Sequence, residues 1–105
     1  MVIIQSCIYC TFSFSAKKLA VVYQMGKLVF SDTGLDAVWL GDILASIKYT
    51  DIRTIETTNS IIFHWYKIAY GNKDEALYIQ PSSNKRFSKM ITDRDISIAV
   101  VKRLL

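Results

Sequence analysis

The sequence is short of the residues that staple, break or catalyse. Its 105 positions hold two cysteines, one histidine, one proline and four glycines. Two cysteines cannot build the disulfide framework of a small secreted scaffold. A chain of this length buries roughly two-thirds of the surface its unfolded form exposes, enough for one domain to fold without such staples. Scarce proline and glycine, beside 51% hydrophobic and 21% charged residues, exclude a disordered or low-complexity chain. No apolar run is long enough for a spanning helix. No phosphate loop, dinucleotide fingerprint or nucleophile elbow occurs, and the glycines stand singly at turn positions.

Cys7 and Cys10 have the C-x-x-C spacing of a zinc half-site or a redox pair. A four-ligand zinc site needs two more ligands, and His64 is the one remaining candidate. A redox pair usually opens a helix, whereas these two fall on opposite faces of a strand pattern. Two reduced cysteines of a cytosolic protein are the expectation, with no metal and no cofactor. His64, between Phe63 and Trp65, reads as a half-buried structural imidazole rather than a catalyst. Asp93 and Asp95 diverge if they lie on a helix, and no third ligand is evident. With no convergent acid, base and nucleophile, the chain reads as a non-enzyme without a small-molecule substrate.

Thirteen Lys and Arg against nine Asp and Glu give a formal charge of +4. From Pro81 onward, Lys85, Arg86, Lys89, Arg94, Lys102 and Arg103 face only Asp93 and Asp95. An anionic partner would meet that segment, and a solvated helix face is the plainer account. The density falls short of a nucleic-acid arm. Phe63, Trp65 and Tyr66 beside Lys67 are explained by core packing more simply than by base stacking, so nucleic acid is not the expected partner.

Hydrophobic alternation places strands at about 2–14, 18–24, 27–32, 35–40, 43–56, 61–70 and 75–80. In the first, Val2, Ile4, Ile8, Cys10, Phe12 and Phe14 share a face. That alternation, the lack of a basic start and the polar Gln5, Ser6 and Tyr9 argue against an export signal. Met25-Gly26 reads as a tight turn. The stretch 43–56 organises the rest: two extended runs meet at a bend, Tyr49-Thr50-Asp51, with Ile43, Ala45, Ile47 and Tyr49 on one face. Such a bend lets one segment serve two edges of a sheet. After Pro81 the period changes, and Phe87, Met90 and Ile91 followed by Ile98, Val101 and Leu105 have helical spacing, giving a helix over about 84–104. Thr92 and Asp95 fit a capping box, which places its main part from about residue 93 onward. The helix must cover the open end of a curved sheet.

This order of elements resembles a pleckstrin-homology-like domain of the small prokaryotic and GRAM type. Gly26-Lys27-Leu28-Val29-Phe30-Ser31-Asp32 with Gly34-Leu35, then Ile47-Lys48-Tyr49-Thr50-Asp51-Ile52-Arg53-Thr54-Ile55-Glu56, is similar to its strand pattern. Arg86-Phe87-Ser88-Lys89-Met90-Ile91 and Val100-Val101-Lys102-Arg103-Leu104 are similar to its capping helix. The resemblance implies a mostly β fold with one C-terminal helix, a split antiparallel barrel of about seven strands. It also implies a noncatalytic module that binds a protein, itself included, through a sheet edge or groove. The outward residues Ile3, Gln5, Tyr9 and Thr11 of the long first strand are the expected contact. The alternative is peripheral binding of anionic phospholipid by Lys17, Lys18, Lys27, Lys85, Arg86 and Lys89. The family's basic motif for phosphoinositides departs here, since no Arg follows these first lysines until Arg53. That leaves a loose attraction of roughly 1 kcal/mol per well-placed basic residue. Either use fits a cytoplasmic protein, in the second case at the membrane periphery.

Overall fold

The computed structural model describes residues 6–14, 22–59, 64–72, 75–102 and 104. Alternation carries most of them into eight strands: β1 (Ser6–Phe14), β2 (Val22–Phe30), β3 (Gly34–Trp39), β4 (Asp42–Lys48), β5 (Ile52–Thr57), β6 (Tyr66–Tyr70), β7 (Ala76–Pro81) and β8 (Ala99–Val100). One α-helix among the described residues, α1 (Asn84–Thr92), stands between β7 and β8. The sheet runs β4-β3-β2-β1-β7-β6-β5-β8 and does not close. All pairs are antiparallel except β5 with β8. The protein is therefore a mostly β split barrel capped by a C-terminal helix.

Two ladders join across β1 and β7, where Phe12 faces Ile79. In the first half, the row Ile8, Leu28, Ala37 and Ala45 points inward. In the second, Ile55, Ile68 and Leu77 do so. Ile8, Phe12, Leu28, Phe30, Ile55, Ile68, Leu77 and Ile79 lose essentially all solvent contact, each worth about 1.5–3 kcal/mol of transfer free energy. Phe87 and Ile91 of α1 close the mouth of this core. The Phe87 ring centroid lies 4.6 Å from that of Tyr66 and 6.4 Å from that of Phe30. Ser83 starts the helix, its hydroxyl accepting from the Arg86 N–H at 3.2 Å.

The bend expected at residues 49–51 is a single 3₁₀ turn, Tyr49–Asp51. It sends β4 to one end of the sheet and β5 toward the other. Elsewhere the structure corrects the sequence reading. Met25-Gly26 is not a turn between two strands but a bulge within β2. Cys10 faces Gly26 and Phe12 faces Tyr23, so Thr11 opposes both Gln24 and Met25, whose φ is 59°. A Cβ on Gly26 would run into the Phe12 ring, which is why glycine follows the bulge. A second bulge breaks the expected Ile43, Ala45, Ile47 face. Ala37 pairs with Ala45 and Val38 with Ile43, leaving Leu44 as the extra residue and turning Ile43 outward. Of the strand expected over 61–70, residues 61–63 lie outside the described residues, His64 and Trp65 are not in the ladder, and β6 begins at Tyr66. Just ahead of it the Thr57 hydroxyl contacts His64 Nε2 at 2.9 Å and donates to the Trp65 carbonyl at 2.8 Å, holding these two residues outside the ladder. Strand β7 includes Pro81 as its last residue, paired with Cys10.

The largest correction falls after α1. The helix does not continue to 104 but stops at Thr92. Thr92 caps nothing downstream; its hydroxyl donates back to the Ser88 carbonyl at 2.9 Å. The Asp95 backbone turns left-handed at φ 60°, and its N–H donates to the Thr92 carbonyl at 3.0 Å. That conformation ends a helix. Ile96 and Ile98 then pack half-buried against the core, and Ala99 and Val100 pair with Glu56 and Thr57 as β8.

Candidate functional site

The register across the first half of the sheet builds one outward row from three strand pairings. Tyr9 faces Lys27, Lys27 faces Val38, and Val38 faces Ile43. Partners directly opposite share a face, so the row lies on the side away from the core. Tyr9 is 65% exposed and Ile43 60%, with Val38 between them buried and Lys27 half-buried. The two bulges and a hairpin turn enlarge the surface. Met25, at the β2 bulge, is 90% exposed, and Leu40, in the β3–β4 turn, is 76% exposed. Leu40 (φ 50°) and Gly41 (φ 85°) are both left-handed, as a two-residue hairpin requires. A leucine held there is strained, since the position favours Asn, Asp or Gly. The Trp39 indole donates to the Gln24 carbonyl at 3.0 Å and packs 5.2 Å from the Tyr23 ring. That ties the β3–β4 turn to the β2 bulge, so Met25 and Leu40 occupy the same end of the half-sheet.

The two halves differ in what covers them. Outward positions of the second half, Ala69, Ala76 and Tyr78, are buried, and the Tyr78 hydroxyl reaches the Leu104 carbonyl at 3.5 Å. The edges differ in the same sense. β5 is flanked by β8, whereas β4 ends the sheet. The Tyr49 N–H donates to the Thr33 carbonyl at 3.0 Å. By the alternation of an antiparallel ladder, Ile47 also turns its backbone groups toward β3, and Ser46 and Lys48 turn theirs outward. A Cβ on Gly34 would meet the Ile47 carbonyl, so glycine is what lets β3 and β4 come this close.

Of the residues expected to meet a partner, Tyr9 and Thr11 stand on this face and line an open depression of about 400 Å³ with Met25, Gln80, Pro81 and Asn84. Ile3 and Gln5 lie outside the described residues. β1 itself is not a sheet edge: it pairs with β2 and β7. Beyond the β7 ladder its Cys7 carbonyl accepts from Arg86 Nη2 at 3.4 Å, and its Tyr9 carbonyl from the Ser82 N–H at 2.8 Å. Of the expected anion-binding residues, Lys17 and Lys18 also lie outside the described set. Lys27 is half-buried in the outward row. Lys85, Arg86 and Lys89 are exposed on α1, where Lys89 Nζ pairs with Asp93 at 3.0 Å. Met25, Leu40 and Ile43 had no part in the sequence-derived site. A bulky residue directly before glycine, in Met25-Gly26 and Leu40-Gly41, is the signal that marks two of them.

The titratable groups with displaced pKa values owe it mainly to burial. Burial pushes the Cys10 thiol up to about 12, and raises Tyr49, Tyr66, Tyr70 and Tyr78 above the usual phenol range. Cys7, three residues from Cys10, is exposed. Among the described residues no three His, Cys, Asp or Glu side chains gather to share a metal ion, and no helix is long and apolar enough to cross a membrane. No protein-family model matches the chain, and no curated protein matches it.

Proposed function

We propose that the chain is a noncatalytic interaction module of the pleckstrin-homology-like kind, which docks a protein on the outward face of β1–β4 and along the adjoining edge. The observation that carries this reading is the uneven exposure of large apolar side chains, most of which lie on the first half-sheet. Among the described residues Tyr9, Val22, Met25, Leu40, Ile43 and Leu44 are exposed on the first half-sheet, whereas on the second Ala69, Ala76 and Tyr78 are buried and Val100 of β8 is the one exposed large apolar side chain. Apolar surface gathered in one place, with Lys27 in its middle, marks a contact surface. The likeness to the family is supported by the split barrel and by Phe87 and Ile91 plugging its mouth. It is weakened where Val100 and Val101, matched to the capping helix, instead leave the helix and run along β5.

Affinity capture with the wild-type chain and a Tyr9→Ser, Ile43→Ser variant tests the reading. Both side chains are exposed, so the variant keeps its fold and melting temperature. A protein retained by the wild type and lost by the variant supports the reading; partners retained equally by both overturn it.

Anionic phospholipid has less behind it. Arg86 is engaged with the Cys7 carbonyl and Lys89 with Asp93, while Lys27 belongs to the apolar row. Co-sedimentation with vesicles containing phosphatidylserine, but not with neutral vesicles, would favour lipid instead.

A further inference from the structure

Among the described residues, the segment that follows α1 meets the body through a two-residue ladder, half-buried isoleucines and the Tyr78–Leu104 contact. Ala99 and Val100 pair in parallel with Glu56 and Thr57, and the Val101 N–H donates to the Thr57 carbonyl at 2.8 Å. Ile96 and Ile98 add half-buried packing. Parallel pairing is slightly less stable per residue than antiparallel, and both residues of β8 are exposed. Open depressions undercut the segment on either side. One of about 320 Å³ lies between Arg53, Thr54, Ile96 and Ser97, and one of about 520 Å³ between Thr58, Asn59, Val101 and Lys102. Arg94 is anchored on Tyr49 and Met90, and the segment leaves α1 just after it through Asp95, a single-residue hinge held at φ 60°. Such a conformation costs an L-residue free energy, though less for Asp than for most. A short strained hinge before a separable strand is the setting in which identical chains exchange elements.

We infer that residues 96–101 exchange between two copies of this chain, β8 of each pairing with β5 of the other. The occupant of the β5 edge is named by what covers it within one chain. Ile-Ser-Ile-Ala-Val-Val is uncharged and rich in β-branched residues, and the same segment of a second copy brings the same groups to the same edge. Exchange keeps these contacts and releases the Asp95 hinge, at the entropic cost of association, so the dimer gains with concentration. The inference stands apart from the docking face, because it concerns the opposite end of the sheet.

Two substitutions at one residue push the equilibrium in opposite directions. Asp95→Gly adopts positive φ freely and weakens the dimer about tenfold. Asp95→Pro, fixed near φ −65°, cannot close the hinge and makes the dimer the main species. Sedimentation velocity over a concentration series reads both, with circular dichroism confirming that each variant is folded. Oxidation of a Cys7→Ser, Glu56→Cys, Ala99→Cys chain supplies the second measurement, because Glu56 and Ala99 are ladder partners. Covalent dimers linking residue 56 of one chain to residue 99 of another support exchange. Only intrachain links at every concentration, with both hinge variants monomeric, overturn it.

Discussion

Arg94 Nε donates to the Tyr49 hydroxyl at 2.8 Å. Arg94 Nη1 donates to the Met90 carbonyl at 2.8 Å, and the Tyr49 hydroxyl donates onward to the Ser31 carbonyl at 2.6 Å. The guanidinium lies 5.2 Å from the Phe30 ring centroid and 5.4 Å from that of Tyr49, within cation–π range. These contacts bolt the end of α1 to the turn between β4 and β5, where the open sheet has no ladder of its own. Tyr49→Phe removes a donor and an acceptor at once and should cost about 1–3 kcal/mol. The check is a lower urea midpoint with an unchanged m value. Arg94→Lys keeps the charge but not the planar fork, and should be destabilised as well.

Alkali, and not acid, should weaken the fold through its buried phenols and thiol. Tyr49, Tyr66, Tyr70 and Tyr78 have folded pKa values above their unfolded value of 10.0, chiefly because burial penalises the phenolate. A raised folded pKa contributes stability that is fully present below the unfolded pKa and is lost as pH rises through the folded one. Cys10, moved from 9.0 to about 12, adds loss over that interval. Urea unfolding at pH 8, 10 and 11 should show stability already falling between the first two, where Cys10 passes its unfolded value of 9.0, and falling more steeply between the last two as the tyrosines join it.

The two thiols should react in sequence. Cys7 is exposed and Cys10 buried on the opposite face of β1, and the thiolate is the reactive form. At pH 8 an alkylating reagent should modify one thiol per native chain, at Cys7, and the second only in denaturant. Peptide mapping by mass spectrometry identifies the order.

Phe87 links helix to barrel and has no solvent contact. Phe87→Ala should cost about 3–5 kcal/mol, as large-to-small changes of buried aromatics do. That is a large share of the 5–15 kcal/mol typical of a domain. Ser83→Ala, which removes only the helix cap, should cost about 1 kcal/mol. Thermal unfolding followed by circular dichroism ranks the two.

The parts of this fold that were legible in sequence are those written in local periodicity. The inward Ile8, Cys10 and Phe12 and the helical Phe87, Met90 and Ile91 follow from spacing, and the break at Tyr49-Thr50-Asp51 from the turn-forming Asp51 between two extended runs. Bulges were illegible because one extra residue changes no composition. Leu44 kept the alternation intact on paper while reversing Ile43 in space. The end of α1 misled for a related reason: Ile98, Val101 and Leu105 fit a helical period, but Ile96 and Ile98 alternate equally well, and the left-handed Asp95 decides between them. At the site, Tyr9 and Thr11 were readable as outward residues of a strand. Their union with Lys27, Met25 and Ile43 depends on register, which comes from tertiary pairing.

The docking face is tested most directly by placing a photo-crosslinking side chain at Ile43 and, in a separate chain, at Lys67 on the outward side of the second half-sheet. The Ile43 probe should capture a protein partner that the Lys67 probe does not, and the Tyr9→Ser substitution should reduce that capture. Capture from Lys67 with none from Ile43 would contradict the account.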